Sequence, residues 1–503
     1  MAKFDFNPKT HEKKLQPLIR ELVAGKKYDK VLRRYPKTKT RLFTKAEVIA
    51  GLKHFGYPPS LVAKPIRTLS GVVPVTVLTK PYPCPGCCLY CPNDPTMPKS
   101  YLPDEPGGQR AVANQFDPYR QVVSRLTTYR ANNHPTDKVE LIVLGGTWSA
   151  YPKTYQTWFI KRCFEALNNR PSASLPAAQK INETTKNRCI GLSLETRPDW
   201  ITKQELINFR HLGCTKVQIG IQSLNNRILR LNQRGHTVAA TKKAIKLLRE
   251  FGFKIQAHWM ANLYGSSPKQ DFTDFKKLFS DKNFRPDELK IYPCSLIKTA
   301  SLMKYYQKGL WQPYSLAELT DLLVKILPLV PQYCRVSRMI RDFSSEDIVT
   351  GNKQSNLRQI VESKLKNNIQ EIRSREIRNE NPPAGGLKLT IITYQTSIGK
   401  EKFLQWVTAN NQICAFLRLS LPEGKPGAMI RELHVYGPAL ALGSRGKVQH
   451  SGLGSQLITK AVAIAKKFKF KKLSVISAVG TKEYYRRRGF TDGLLYQHFN
   501  LLQ

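Results

Sequence analysis

Short apolar runs recur at 75–78, 139–144, 189–194, 217–221, 254–259, 288–291 and 335–339, and each has the length of a buried strand. Between them lie amphipathic stretches such as 203–211 and 238–251, whose apolar positions return at helical spacing. Strand and helix in alternation predict βα units on a parallel sheet. About six such units fall short of the eight that close a full barrel, so the expected fold class is α/β with a partial, open (βα)6 barrel.

The ends of the chain follow other patterns. Residues 1–70 carry helical amphipathic patches around 15–23 and 45–54, and then Pro58, Pro59 and Pro65 break the pattern. Residues 345–380 are polar and charged, with a helix expected over 357–375. The run Asn381-Pro382-Pro383-Ala384-Gly385-Gly386 punctuates the chain. A new α/β domain starts at Leu387, with strands at 389–393, 413–419, 429–435 and 473–477 and a helix over 455–467. The predicted domains are therefore 1–71, 72–344, a linker at 345–386, and 387–503.

Charge changes the picture most. The 503 residues carry a formal net charge of +45, a field that attracts polyanions. Residues 1–70 hold 17 Lys and Arg against 5 Asp and Glu, and residues 387–503 hold 18 against 5. A surplus at both ends favours one large anionic ligand, with nucleic acid ahead of an acidic membrane surface. No segment has the apolar length of a membrane span, and residues 1–14 lack a signal-peptide core. The expected location is cytoplasmic, with the ten cysteines as thiols or metal ligands rather than disulfides.

Four of those cysteines, Cys84, Cys87, Cys88 and Cys91, directly follow the first predicted strand on a Pro/Gly-rich loop. Clustered thiolates of this kind hold soft metals or iron–sulfur clusters. Two registers are possible, Cys84/Cys88/Cys91 or Cys84/Cys87/Cys91. The first, with Tyr90 before the last cysteine, matches the motif of radical S-adenosylmethionine enzymes. There, three cysteines hold a [4Fe–4S] cluster whose fourth iron chelates the cofactor. A zinc ion on all four thiols is the plainer alternative, but adjacent Cys87 and Cys88 fit one tetrahedral ion poorly. Gly145 and Gly146 end the second strand and could expose backbone to a ligand. Glu195 and Arg197 follow the third strand, and Gln218 and Gln222 lie on and at the end of the fourth, where parallel barrels build their sites. Singly, each reads as a capping or loop residue.

In the last domain Gln449-His450-Ser451-Gly452-Leu453-Gly454 precedes a helix. Free N–H groups at such a turn cradle a pyrophosphate. The Q-x-x-G-x-G form resembles the acetyl-CoA loop of the GCN-related N-acetyltransferase fold. Tyr484 and Tyr485 precede Gly489-Phe490, where that fold keeps a tyrosine beside the thioester; one of the pair is expected to be packing.

Both motif sets on one chain resemble the family of the Elongator catalytic subunit and its stand-alone bacterial and archaeal relatives. The resemblance covers nearly the whole chain and includes Cys91-Pro92-Asn93-Asp94-Pro95, Asn232-Gln233-Arg234-Gly235-His236-Thr237 and Arg431-Glu432-Leu433-His434-Val435-Tyr436-Gly437. It implies carboxymethylation of carbon 5 of the wobble uridine in tRNA, with a 5′-deoxyadenosyl radical taking hydrogen from the methyl of acetyl-CoA and hydrolysis releasing CoA. It implies a cluster on Cys84, Cys88 and Cys91, and S-adenosylmethionine near Gly145, Gly146, Glu195 and Gln218. It also implies acetyl-CoA near Lys138, Glu432, Leu433, His434, Val435, Leu453, Gly454, Ser455 and Tyr485, with Tyr485 and Lys138 as catalytic residues. The partners implied are the tRNA anticodon stem-loop, bound in part by residues 1–71, and an external electron donor. Self-association stays open.

The sequence departs from the family in two places. Where some relatives have interdomain cysteines suited to zinc, Ile369, Glu371 and Ser374 stand, so no zinc is expected there. The stretch from His258 to Gly265 is bulkier than usual. Two other functions compete: a protein lysine acetyltransferase with a structural cluster, using Glu432 or Glu483 as base, and a non-catalytic tRNA-binding scaffold. Cys163, Cys214 and Cys294 read as core thiols.

Overall fold

The computed structural model describes residues 6–38, 40–58, 71–365, 369–377, 386–437 and 452–502. The first sheet contains β1 (Val72–Leu78), β2 (Lys138–Leu144), β3 (Arg188–Thr196), β4 (Lys216–Gln222), β5 (Lys254–Ala261) and β6 (Glu288–Pro293). A small ribbon of β7 (Leu296–Ile297) and β9 (Ile348–Thr350) lies beside it, and β8 (Arg335–Arg338) completes it. The order is β1-β2-β3-β4-β5-β6-β8, parallel throughout. All seven predicted strands are present, and the sheet forms the expected open barrel.

Alternation along each strand divides the sheet into two faces. Val139, Leu141 and Val143 of β2, and Leu289 and Ile291 of β6, belong to the apolar core under the helices. The opposite positions are polar from β3 to β6, with Ser193 and Glu195, Lys216 and Gln218, Lys254, Gln256 and His258, and Glu288, Lys290 and Tyr292, whereas β1 and β2 set Leu78, Ile142 and Leu144 beside Glu140. A closed barrel of this type fills its interior with branched aliphatic side chains. A charged interior cannot pack that way, and here it encloses a cavity.

The C-terminal sheet runs β10 (Lys388–Thr396), β11 (Gly399–Val407), β12 (Ile413–Pro422) and β13 (Gly427–Val435) as an antiparallel meander. It continues through β14 (Lys472–Val475), parallel to β13, to β15 (Thr491–Asp492) and β16 (Gln497–Asn500), in the order β14-β16-β15. Sequence reading missed β11 because Glu401 interrupts its apolar pattern. That carboxylate is fully buried against Arg249 and Arg431.

The expected helix over 357–375 is instead two, Leu357–Lys364 and Ile372–Arg375. Glu371 accepts from the Arg373 amide at 2.8 Å and so starts a new helix. In the N-terminal region, Leu15, Leu18, Ile19 and Leu22 of helix Glu12–Val23 pack on Val48, Ile49 and Leu52 of helix Lys45–His54. A capping box between Thr44 and Glu47 opens the latter helix.

The two sheets meet at the N-terminal ends of the barrel strands. Asp287, just before β6, accepts from Arg431 Nη2 at 2.5 Å and faces Arg418 Nη1 at 3.6 Å, all fully buried. A register shift pairs Arg418 with Glu432 but Leu419 with Ile430, leaving Arg431 as the extra residue of a bulge that reaches across to Asp287.

Candidate functional site

The cysteine loop leaves the C-terminal end of β1. Cys88 is buried, Cys84 and Cys91 are half-buried, and Cys87 is exposed, so the adjacent pair Cys87 and Cys88 part company. Arg234 Nη1 donates to Cys88 Sγ at 3.4 Å. Cys84 Sγ lies 3.6 Å from Thr147 Oγ1, and Cys91 Sγ lies 3.6 Å from Ser100 Oγ. A hydrogen bond from Cys91 and the Arg234 charge outweigh burial and hold the Cys88 thiol well below its ordinary value, which favours a thiolate.

Positive charge surrounds the loop. A Cβ added at Gly86 would lie 2.2 Å from Arg197 Nη1, so a side chain there would strike the guanidinium. Arg197 Nη1 is buried with no hydrogen-bond partner among the described residues, while its other nitrogens hold Asp199. An orphaned guanidinium N–H and Arg234 beside three cysteines suit an anionic thiolate cluster. Among the described residues, no three Cys, His, Asp or Glu side chains converge as a single ion requires. A [4Fe–4S] cluster spreads its ligands over separate irons and does not need them to converge.

Gly145 and Gly146 have φ of +142° and +86°, and a Cβ at Gly145 would fall 1.7 Å from Thr79 Oγ1. Both positions therefore require glycine, with bare backbone at the end of β2. Glu195 accepts from the Tyr101 hydroxyl at 2.6 Å. Gln218 Nε2 donates to Ser193 Oγ, which aims its Oε1 at Lys290 Nζ (2.6 Å) and His258 Nε2 (3.1 Å).

On the second sheet, Gly452 at φ +87° starts helix Leu453–Lys467, and among the described residues no side chain caps the first amides. Val448, Gln449, His450 and Ser451 lie outside the described residues. A Cβ at Gly454 would stand 2.6 Å from the Tyr484 hydroxyl, 3.6 Å from Val435 and 3.7 Å from Leu433, so these residues form one patch with Leu453 and Ser455. Arg488 stacks 3.5 Å over Tyr484 and donates to Ser455 Oγ at 2.8 Å. The uncapped amides and this arginine suit a pyrophosphate. His434 stacks on Phe416, and burial pushes it down to about 4.

One cavity of about 1200 Å³ joins the two halves. From the barrel it is lined by Glu195, Gln218, His258 and Lys290, and from the second sheet by Glu432, Leu433, His434 and Tyr485. Tyr485, not Tyr484, faces it. Gly145 lines a small neighbouring pocket with Glu195. Lys138 opens β2 two residues before Glu140 on the same face, and burial lowers its ammonium. The cysteines, Gly146, Lys138, Val435, Leu453, Gly454 and Ser455 are not among the cavity-lining side chains.

Sequence reading missed His258, Lys290, Tyr292 and Arg341, since the apolar residues between them dominated the pattern. The signal for the first three was the period-two polarity of β5 and β6, while Arg341 follows β8 and had none. The bulk of Trp259 does not enter the cavity: it points outward, donates to Asp274 at 2.9 Å and packs on Phe275. Glu371 is buried and bound to Arg358 and the Val336 amide. Cys163, Cys214 and Cys294 are buried thiols pushed upward by desolvation, the last two to about 12.

Residues 82–278 match the model of the Radical SAM superfamily, and 286–367 match its C-terminal domain. With the thiolate loop above a parallel half-barrel, the chain is a radical S-adenosylmethionine protein. It is 41% identical to the tRNA uridine(34) acetyltransferase of Dehalococcoides mccartyi over 84% of this chain and 96% of the relative. It is 34% identical to Elongator complex protein 3 of Homo sapiens over 86% and 84% respectively. Its fold matches the solved Elp3 of Methanocaldococcus infernus with TM-score 0.76 at 36% identity, covering 86% of this chain and all of that one. The chain belongs to this family of tRNA uridine(34) acetyltransferases and Elongator complex protein 3.

Proposed function

We propose that the chain carboxymethylates carbon 5 of the wobble uridine of tRNA. It is a radical tRNA-modifying transferase, as its relatives' names and its superfamily indicate. The observation that carries the finer reading is the single cavity lined by Glu195 and Gln218 on one side and Glu432, His434 and Tyr485 on the other. When bound, the cluster and S-adenosylmethionine supply a 5′-deoxyadenosyl radical, and acetyl-CoA supplies the two-carbon unit. Cys84, Cys88 and Cys91 would hold the cluster, and Gly145, Gly146, Glu195 and Gln218 would seat the sulfonium cofactor. The amides after Gly452, with Leu453, Gly454 and Ser455, would hold the pyrophosphate of CoA. Glu432 to Val435 would flank its pantetheine arm, with Lys138 and Tyr485 closest to the reacting end. The polyanion is drawn by the net charge of +45, with the helices of residues 1–71 as one contact and an external one-electron donor completing the system.

The arrangement favours this reading over lysine acetylation. Glu432 is committed to Lys254 at 2.5 Å and Arg418 at 2.7 Å, and Glu483 is tied to Arg487 at 3.1 Å. Neither carboxylate is free to take a proton from an incoming amine. The test is anaerobic: reconstituted protein, dithionite, S-adenosylmethionine, acetyl-CoA and uridine-wobble tRNA, with nucleosides read by mass spectrometry. Carboxymethyluridine is the expected product. None of it, with an intact cluster, overturns the proposal.

A further inference from the structure

The interior of the barrel carries a charged group that none of the roles above uses. Along the inner face of β6 stand Glu288, Lys290 and Tyr292, about 7 Å apart by strand geometry. Glu288 belongs to the interdomain network through Lys254, which also holds Glu432. Tyr292 lies under Arg341, whose guanidinium reaches the Ser100 carbonyl and the Tyr101 ring beside the cysteine loop. Lys290 is therefore midway between the CoA-side residues and the cluster-side residues, in the wall of the shared cavity.

Its surroundings leave it reactive. Among the described residues the ammonium makes one hydrogen bond, to Gln218 Oε1, and its other donors are free for the cavity. The groups facing it are Glu195 on β3, Lys216 and Gln218 on β4, His258 on β5, Tyr292 on β6, and Arg338 and Arg341 at the end of β8. Burial leads in pulling the ammonium down, the cations add to it, Glu195 opposes, and the amine falls to about 7. His258 is the obvious rival. Burial first, then Lys290 and three arginines, lower its ring below the usual range and favour the neutral form.

We propose that Lys290 is the proton-transfer residue of the hydrolytic half of the reaction, the step that frees CoA from the modified uridine. This rests on the carboxymethylation reading. The neutral Nζ takes a proton from a water as its oxygen bonds to the thioester carbonyl carbon. The carbon–sulfur bond breaks, and the ammonium returns that proton to the departing thiolate sulfur. The second proton of the water leaves to solvent as the new carboxyl ionises, so the step is hydrolysis without oxidant or reductant. A lysine tuned to the working pH is suited to act as both base and acid.

A titration, a variant and a pH profile test this. First, in the cofactor-free chain, ¹³C-dimethylated Lys290 followed by NMR, assigned with Lys290→Arg, titrates with a midpoint near 7; a midpoint near 10 overturns the proposal. Second, Lys290→Arg keeps charge and reach but holds its proton. It should form 5′-deoxyadenosine at the wild-type rate while CoA release falls by about a hundredfold, leaving the CoA thioester adduct on tRNA. Third, in wild type CoA release should rise as pH increases through about 7 and then level; release independent of pH across that range overturns the proposal. Release at the wild-type rate in Lys290→Arg overturns the role of Lys290 alone. Wild type that yields no carboxymethyluridine overturns the functional reading, and this role with it.

Discussion

Lys254 Nζ, on the inner face of β5, lies 2.5 Å from Glu432 Oε1 on the second sheet and 2.7 Å from Glu288 Oε1 on β6. One ammonium thus joins a strand of each domain at the wall of the cavity both domains line. Lys254→Met should leave Glu288 and Glu432 facing each other with only Lys216 and Arg418 to offset their charges. Stability should fall by about 3–5 kcal/mol, the usual cost of stripping one partner from a buried pair, and acetyl-CoA should bind more weakly as Glu432 shifts. Thermal melting and calorimetric titration with acetyl-CoA check the two effects; an unchanged melt would remove Lys254 from the interface account.

The same interface fixes an acid limit on stability. Asp287 is buried among Arg431, Arg418 and Arg249, whose charges outweigh burial and hold its carboxyl below the ordinary value. Glu288 is held down by Lys216 and Lys254. Groups depressed in the folded state contribute stability that is fully present above their unfolded values and lost as pH falls toward the folded ones. Unfolding followed by tryptophan fluorescence should therefore show interface stability constant above about pH 5 and falling steadily below about pH 4. Asp287→Asn should flatten part of that slope while lowering stability at neutral pH.

The two neighbouring tyrosines should separate cleanly. Tyr485 faces the cavity, whereas Tyr484 is stacked under Arg488 and against Gly454. Tyr485→Phe should lower carboxymethyluridine formation by about tenfold to a hundredfold, with acetyl-CoA affinity nearly unchanged, if its hydroxyl acts at the reacting thioester. Tyr484→Phe should change turnover less than threefold. Single-turnover product analysis with parallel binding measurements distinguishes them.

The cysteine register can be read without turnover. Cys88→Ala should prevent reconstitution of the cluster, while exposed Cys87→Ala should retain full iron and sulfide content. Retention in the former and loss in the latter would reassign the ligand to Cys87.

Much of this was legible in the sequence, for identifiable reasons. The parallel strands announced themselves because one face of each is apolar, as with Val139, Leu141 and Val143. The cysteine loop and the Gly452-Leu453-Gly454 turn were legible because their chemistry is local in sequence. The cavity was not. Lys290 and Glu432 stand far apart along the chain, and the packing of the two halves, through Asp287, Lys254 and Arg249, brings their walls together. β11 stayed hidden because Glu401, read alone, is a polar interruption, and its arginine partners come from a helix of the barrel and from the β13 bulge.

The central claim is that both cofactors react within one cavity, and hydrogen transfer tests it most directly. With acetyl-CoA deuterated at the methyl group, reconstituted protein and uridine-wobble tRNA should yield 5′-deoxyadenosine carrying one deuterium, in step with carboxymethyluridine. 5′-Deoxyadenosine free of deuterium, formed while carboxymethyluridine accumulates, would contradict the account.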